Sequence, residues 1–203
     1  MTTTIHLVRH AVHEVVNRVL IGRNASIGLS GVGFQQAQAL GNRFACSKLA
    51  SVQSSPQLRA RQTARPIAEM HGLPLEDAPE FDEIDMGTWT GRSFEELKHD
   101  PQWQVWNSQR DTARPPRGEN MRELQRRVMD RLYHVAKTNG GEEVVIVSHA
   151  EPIRAAVLYY LQLSLDDFLS VQIAPASVTT IVMRGQSGEI VANSDSIRDF
   201  VAA

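Results

Sequence analysis

Short strand-like runs alternate with longer helical patterns along the chain, and this alternation constrains the fold more than any other feature. Residues 3–8 and 50–54 are β-branched and apolar, whereas residues 31–44 and 58–70 repeat their apolar side chains with helical spacing. This order predicts an α/β fold with a largely parallel central sheet. The 203 residues are enough for one domain of this kind, and no repeat or linker divides residues 1–203.

The second half of the chain continues the alternation. Asn120 and Glu123 have the spacing of a variant capping box at the start of a long helix. Residues 144–147 are the most strand-like run of the chain, and Pro152 is predicted at the first position of the helix that follows.

Two further segments complete the expected organisation. Residues 179–183 and 190–192 flank a polar turn, which predicts an antiparallel hairpin at one edge of the sheet. Residues 85–119 are less regular and contain all three tryptophans of the chain. We interpret this segment as an inserted lid or side lobe.

Charge and cysteine content disfavour several classes of function. The formal net charge of −2 provides no general attraction for nucleic acid or anionic lipid. The single cysteine, Cys46, cannot form an internal disulfide, and the sequence shows neither a signal-peptide pattern nor an apolar run of the roughly 20 residues that a membrane helix needs. We expect a cytoplasmic protein with no nucleic-acid or membrane partner. Its oligomeric state is open, and a homodimer is the commonest soluble assembly.

Arginine and histidine follow two of the predicted strands at the point where each strand ends. Arg9 and His10 come after the first strand, and His149 follows the strand at 144–147, with Arg154 close behind. Ligands of open α/β sheets bind beyond the carboxyl ends of the parallel strands. If the two strands are neighbours, the two imidazoles face each other across that crevice.

A third segment carries arginine to the same edge of the sheet. SSPQLRARQTA, residues 54–64, runs from the second strand into the start of a helix that contains Arg59 and Arg61. A positive side chain at a helix N-terminus is unfavourable, because the helix dipole is positive there. Arginine at this position therefore indicates a functional role, such as binding a phosphate group together with the helix N-terminus. Residues two apart cannot share a helix face. We therefore expect the side chain of Arg59 to reach the pocket and that of Arg61 to point to solvent.

A fourth segment supplies carboxyl groups. FDEIDMGTWTG, residues 81–91, crowds Asp82, Glu83 and Asp85 together before two glycines. A carboxyl group held among others, or partly buried, has a raised pKa and can act as a general acid near neutral pH. The spacing leaves open which of the three does so.

The four segments resemble, in order and spacing, the four signatures of the histidine phosphatase superfamily, the phosphoglycerate-mutase-like group: LVRHA, SSPQLRARQTA, DEIDMGTWTG and VSHAEPIR. The match spans about residues 5–160. The resemblance implies a three-layer α/β/α sandwich with the site at the carboxyl ends of the strands. It also implies a role for five side chains: His10 as nucleophile, Arg9 and Arg59 as phosphate ligands, Glu83 as proton donor and His149 as the second pocket histidine.

The chain departs from the family pattern at several positions. Alanine replaces the usual glycine after each histidine, at Ala11 and Ala150, and Ala150 is kept among the predicted phosphate-binding residues. The asparagine expected six residues after the nucleophile is Val16 here, with Asn17 one place later. Asn17 and Gly22, which matches a family glycine, are further candidates for phosphate contact.

The leading hypothesis is a metal-independent phosphomonoesterase. The imidazole of His10 would attack phosphorus and form a phosphohistidine, while Glu83 protonates the departing oxygen and later accepts a proton from water. The cationic Arg9 would lower the pKa of His10 and keep the nucleophile neutral. No cofactor or metal is implied, and His6, His10 and His13 are expected to point in different directions.

Two alternatives remain. A phosphoglycerate mutase is disfavoured by Ile21, which stands where the mutases have a serine or threonine that contacts substrate. A non-catalytic phosphate-binding regulatory protein is disfavoured because the full set of reactive residues is present.

The expected substrate is a small phosphorylated metabolite, whose identity the sequence leaves open. The aromatic and basic residues of the predicted lid could form a wall for an anionic or ring-bearing leaving group, or could instead be core tryptophans and solvated arginines. These residues are Trp89, Arg92, Trp103, Trp106, Arg110, Arg114 and Arg117.

Overall fold

A six-stranded sheet forms the centre of the protein, which a computed structural model describes for residues 1–15 and 18–193. The strands are β1 (Thr3–Arg9), β2 (Leu49–Ser54), β3 (Leu75–Asp77), β4 (Glu143–Ser148), β5 (Val178–Arg184) and β6 (Ser187–Asn193). Their order in the sheet is β3-β2-β4-β1-β5-β6. The first four strands along the chain pair in parallel, whereas β5 pairs antiparallel with β1 and with β6. The predicted edge hairpin is thus confirmed.

Helices lie between these strands along the chain. They are α1 (Gly31–Phe44), α2 (Leu58–His71), α3 (Phe94–Leu97), α4 (Pro101–Trp106), α5 (Met121–Thr138) and α6 (Ala150–Tyr160). Three short 3-10 turns complete the described structure: Pro79–Phe81, Gly87–Trp89 and Leu165–Ser170. Among the described residues, no helix has both the length and the apolar character needed to cross a membrane.

Apolar side chains cover both faces of the sheet and create two cores. In β1, Ile5 and Leu7 pack on the side of α5 and α6, whereas Val8 packs on the side of α1 and α2. Alternate residues of a strand point to opposite faces, so one strand contributes to both cores. The predicted three-layer α/β/α sandwich with a mostly parallel sheet is confirmed.

The structure confirms the predicted first residues of α5 and corrects those of α6. The side chain of Asn120 accepts a hydrogen bond from the backbone N–H of Glu123 at 2.8 Å, and the Glu123 carboxylate accepts one from the N–H of Asn120 at 3.1 Å. This capping box confirms the predicted start of α5. The prediction for Pro152 is wrong, because α6 begins at Ala150 and Pro152 is its third residue. Proline fits there because the first N–H groups of a helix have no intrahelical acceptor.

The segment predicted as a lid contributes to the core. Trp89 and Trp106 are fully buried in the core on the α5 and α6 side, and Trp103 packs edge-on against Trp89 with ring centroids 5.2 Å apart. The indole N–H of Trp89 donates to the Asp100 carboxylate at 3.0 Å. The structure therefore does not confirm a separate lid at 85–119, because burial of the aromatic side chains attaches this segment to the main body of the fold.

Candidate active site

The pairing of β1 with β4 brings the two predicted histidines together. Arg9 is in register with Ser148, so His10 and His149 follow side by side at the carboxyl ends of neighbouring parallel strands. The N–H of His10 donates to the carbonyl of Ser148 at 2.9 Å, and the two imidazole centroids are 5.1 Å apart. The expectation that the imidazoles face each other is confirmed.

The His10 imidazole is buried and held in one tautomer. Its Nδ1 lies 2.8 Å from the carbonyl oxygen of Ala11, which can only accept, so Nδ1 carries the proton. In the neutral ring this leaves the lone pair on Nε2. Burial, followed by the nearby charges of Arg59 and Arg9, holds the pKa of His10 well below its usual value. The imidazole is therefore neutral at physiological pH, as the predicted role of nucleophile requires.

Arg9 and Arg59 are anchored by backbone carbonyls. Arg9 donates through Nη1 to Ile173 at 2.6 Å, and Arg59 donates through Nη2 to Gly22 at 2.8 Å and through Nη1 to Asn24 at 3.2 Å. Both Nε atoms are buried and have no hydrogen-bond partner among the described residues. Because buried donors are rarely left unsatisfied, these two N–H groups are available to a bound anion.

A chain of hydrogen bonds fixes His149. Arg59 Nη2 donates to its Nδ1 at 3.2 Å, so the proton is on Nε2, which donates to the Ser55 hydroxyl at 2.7 Å. The hydroxyl in turn donates to Asp82 at 3.1 Å. Burial, then the charge of Arg59, holds the pKa of His149 well below its usual value. Both ring nitrogens have protein partners in this structure, so phosphate binding by His149 stays a prediction.

The three carboxyl groups left open by the sequence have different surroundings. Asp82 supports the His149 chain, and Asp85 accepts a hydrogen bond from the N–H of Gly87 at 2.8 Å. Glu83 lines the cavity next to His10. Burial, together with the charge of Glu151, raises the pKa of Glu83 to about 7. Glu83 can thus hold a proton at neutral pH, as a general acid must.

Glu151 is a cavity residue that the sequence reasoning missed. It lies in the first turn of α6, where its carboxylate meets Arg154 at 2.6 Å and Arg110 at 3.2 Å. The Arg110 guanidinium in turn lies over the rings of Trp106, at 4.6 Å, and Phe168, at 4.0 Å. Burial would raise the pKa of Glu151, but the two guanidinium groups lower it to about 2. Glu151 is therefore ionised at neutral pH.

His13 is the second missed residue, and the expectation that it points away from His10 is wrong. Its ring centroid is 5.5 Å from that of His10, and both side chains line the same cavity. The strand ends at Arg9 and the chain turns, so strand alternation does not apply beyond it. Burial and the charges of Arg59 and Arg9 lower the pKa of His13 to about 4. Among the described residues, no three metal-ligating side chains lie close enough to hold a metal ion.

These residues surround one cavity of about 170 Å³ at the carboxyl edge of the sheet. Gly22 and Ala150, both predicted to bind phosphate, line it, whereas Asn17 lies outside the described residues. Five apolar side chains form the rest of the wall: Val19, Leu20, Ile21, Met86 and Phe94. The aromatic and basic residues of the predicted lid, all of which are described, are absent from the lining: Trp89, Arg92, Trp103, Trp106, Arg110, Arg114 and Arg117.

The fold and the cavity together have the features of an α/β protein that handles phosphoryl groups. A neutral imidazole with its proton on Nδ1, two buried guanidinium groups and a carboxyl group with a pKa of about 7 meet at the ends of parallel strands.

Comparison with known proteins identifies the family. The sequence matches the histidine phosphatase superfamily (branch 1) over residues 5–196, and the chain belongs to this superfamily. It is 31% identical over 190 residues to phosphoserine phosphatase 1 of Hydrogenobacter thermophilus, covering 91% of this chain and 89% of the relative. It is also 31% identical over 198 residues to the metal-independent phosphoserine phosphatase of Arabidopsis thaliana, covering 95% and 82% of the two chains.

A solved structure gives the same result. Bacillus stearothermophilus YhfR superposes with a TM-score of 0.88 at 27% identity, covering 96% of this chain and 98% of that chain. The chain is thus a phosphatase of the histidine phosphatase superfamily.

Proposed function

We propose that this phosphatase hydrolyses phosphate monoesters of small metabolites through a phosphohistidine on His10, without a metal ion. The observation that carries the proposal is the meeting of a neutral His10 and a protonated Glu83 in one cavity. The Arabidopsis relative is a metal-independent phosphoserine phosphatase by name, which supports a mechanism without a metal ion.

In the first step, the lone pair on Nε2 of His10 attacks phosphorus and the ester P–O bond breaks. The departing oxygen takes the proton of Glu83, so the leaving group departs as an alcohol. The free Nε–H groups of Arg9 and Arg59 would bind the phosphoryl oxygens, and their fixed charges stabilise the transition state. Because the two guanidinium groups are already anchored, little reorganisation is needed when the phosphoryl group arrives.

In the second step, water attacks the phosphorus of the phosphohistidine and the N–P bond breaks. Glu83, now a carboxylate, accepts a proton from the water, which restores both residues and releases inorganic phosphate. A pKa of about 7 suits a group that must give a proton in one step and take one in the next. One general acid contributes only about 10² to 10⁴ in rate, so positioning and charge must supply most of the acceleration.

The two alternative functions are less well supported. A mutase must bind a second anionic group of its substrate, and the position where mutases have a hydroxyl side chain is Ile21, an apolar residue of the cavity wall. A non-catalytic phosphate-binding protein would not require a carboxyl group with its pKa raised to about 7 beside a neutral histidine.

Hydrolysis of p-nitrophenyl phosphate in the presence of a chelator tests the proposal. We expect turnover that the chelator does not reduce, and a quenched phosphoenzyme that is stable in base, labile in acid and mapped to His10. Loss of turnover in chelator, restored by a divalent metal, would contradict the metal-independent mechanism. A phosphate group trapped on any other residue would contradict the assignment of the nucleophile.

A further inference from the structure

The cavity has two halves of different character. The floor, at the carboxyl edge of the sheet, holds the charged and titratable groups that the proposed mechanism uses: Arg9 and His10 at the end of β1, Arg59 at the start of α2 and Glu83 in the loop after the Pro79–Phe81 turn. The mouth is made by two loops that pair with each other: the N–H of Leu20 donates to the carbonyl of Arg92 at 2.9 Å, and the N–H of Gly91 donates to the carbonyl of Leu20 at 2.8 Å. The side chains that these loops and Met86 present to the cavity are apolar. In the proposed function, the mouth is where the leaving group lies.

The mouth has no cation available for a second anionic group. Among the described residues, Arg9 and Arg59 are the only arginines or lysines that line the cavity, and the phosphoryl group takes both. Four arginines nearby are paired with carboxylates: Arg23 with Glu119 at 2.9 Å, Arg92 with Asp100 at 3.0 Å, Arg110 with Glu151 at 3.2 Å and Arg154 with Glu151 at 2.6 Å. Arg18, next to Val19, is exposed, does not line the cavity and donates to the backbone carbonyl of Glu14.

The histidines do not supply a cation either. His10 and His13 both have pKa values below their usual range, because they are buried beside Arg59 and Arg9. Both rings are therefore neutral at physiological pH. A carboxylate or second phosphate on the leaving group would lose its hydration in the cavity without gaining a charged partner. This desolvation has a high cost in free energy.

Glu151 also lines the cavity, but its charge is already compensated. Arg154 and Arg110 pair with its carboxylate at 2.6 and 3.2 Å and lower its pKa to about 2. Because both guanidinium groups are paired with Glu151 and neither residue lines the cavity, they do not offer a charge to a second anionic group of the substrate.

The size of the cavity adds a further limit. Its volume of about 170 Å³ is below the roughly 300 to 1,000 Å³ of pockets that enclose drug-sized ligands. The phosphoryl group fills part of this space, so a small leaving group fits best.

We propose that the substrates of this phosphatase are phosphate monoesters of small alcohols or phenols without a second negative charge, selected by the apolar mouth and by the lack of a further cation among the residues that line it. This inference rests on the proposed function, and it gives that function a substrate class. The relatives whose names identify them as phosphoserine phosphatases act on a substrate with a carboxylate. We therefore expect this chain to differ from those relatives in the charge of the leaving group that it prefers.

Two matched substrate pairs test the inference. Glycerol 3-phosphate and 3-phosphoglycerate differ in having a hydroxymethyl group or a carboxylate at the far carbon. 4-Carbamoylphenyl phosphate and 4-carboxyphenyl phosphate have nearly the same shape and differ in charge. In each pair we expect kcat/KM to be at least about tenfold higher for the uncharged leaving group.

A pair of variants tests whether the mouth causes this preference. Val19→Lys places a cation in the apolar wall, and Val19→Met places a side chain of similar length there without charge. The ratio of kcat/KM between the two aryl substrates corrects for any general loss of activity. We expect the ratio to fall several-fold in Val19→Lys and to stay near the wild-type value in Val19→Met.

The outcomes distinguish the two proposals. If the wild-type protein hydrolyses the anionic member of each pair as well as the uncharged one, the substrate class is wrong while the phosphatase function stands. An unchanged ratio in Val19→Lys also overturns the inference, because the mouth would then not set the preference. If no member of either pair is hydrolysed, the proposed function fails and the inference fails with it.

Discussion

The floor and the mouth of the cavity are built by different parts of the fold. The floor is formed at the ends of β1 and β4, whose register places His10 beside His149 at the centre of the sheet. The mouth is formed by two loops outside the sheet that pair with each other. Buried strands hold a reacting group more rigidly than loops do, and loops tolerate changes of sequence. In the proposed function, this difference assigns the two histidines to the sheet and the contact with the leaving group to the loops.

Removal of the nucleophile is expected to have the largest effect on the floor. His10→Ala should lower kcat/KM for p-nitrophenyl phosphate by at least about 10⁴-fold and prevent phosphoenzyme formation, because the attacking imidazole is lost. His134→Ala, a change at an exposed histidine of α5, is the matched control and should leave activity near wild type. A His10→Ala variant that retains most of its turnover would disprove the central assignment.

Loss of the proton donor is expected to be the next largest effect, and it should depend on the leaving group. Glu83→Gln should reduce kcat/KM by about 10²-fold or more for an alkyl phosphate, whose alkoxide needs a proton, and by less than about tenfold for p-nitrophenyl phosphate. Asp85→Asn removes a carboxyl group from the same segment and should show no such dependence. Equal losses across leaving groups for Glu83→Gln would assign the proton transfer to another residue.

Glu151 links the floor and the mouth, and its removal should change the pH profile. With an alkyl substrate, wild-type kcat/KM should fall as pH rises through about 7, because Glu83 then loses its proton. Glu151→Gln removes one cause of that raised pKa, so the fall should begin at lower pH. Glu123→Gln, which removes the surface partner of Arg114, is the control. A pH profile unchanged by Glu151→Gln would show that the two carboxyl groups are independent.

The smallest effect is expected from the arginines outside the cavity. Arg114 is paired with Glu123 at 2.6 Å, on the surface, and does not line the cavity. Arg114→Gln should therefore change kcat/KM by less than about twofold for every substrate above. A loss confined to substrates with an anionic leaving group would show instead that Arg114 reaches the mouth, and would contradict the proposed division between floor and mouth.

Much of the floor could be predicted from the sequence because it follows local rules. A histidine directly after a buried strand, or an arginine in the first turn of the next helix, can be placed by counting residues. Asn120 and Glu123 fix the start of α5 through contacts three residues apart. The choice among Asp82, Glu83 and Asp85 needed the structure, because their different roles arise from partners distant in sequence.

The long-range contacts around the cavity could not be predicted in the same way. Arg110 meets Glu151 across 41 positions of sequence, and its guanidinium lies over Trp106 and Phe168, which no local pattern reveals. The spacing of Glu151 and Arg154 was a usable signal for a pair on one helix face. His13 was missed because a turn after the strand was expected to direct its side chain away from His10, whereas the turn brings the two rings to 5.5 Å. Trp89 and Trp106 of the supposed lid are core residues and Trp103 packs against the core, which is one of the two roles that the sequence left open for them.

The carbonyl of Gly22 has a consequence for attempts to re-engineer this protein. It holds Arg59 at 2.8 Å, and a Cβ at this position, where φ is +50°, would approach the Thr90 hydroxyl to 2.7 Å. Thus the loop that gives the cavity its apolar wall also anchors the guanidinium group assigned to phosphate. A loop transplanted from another phosphatase would replace the apolar wall and the anchor of Arg59 at the same time. Grafts that keep Gly22 and the backbone up to Asn24 should therefore retain turnover more often than grafts that replace the whole loop.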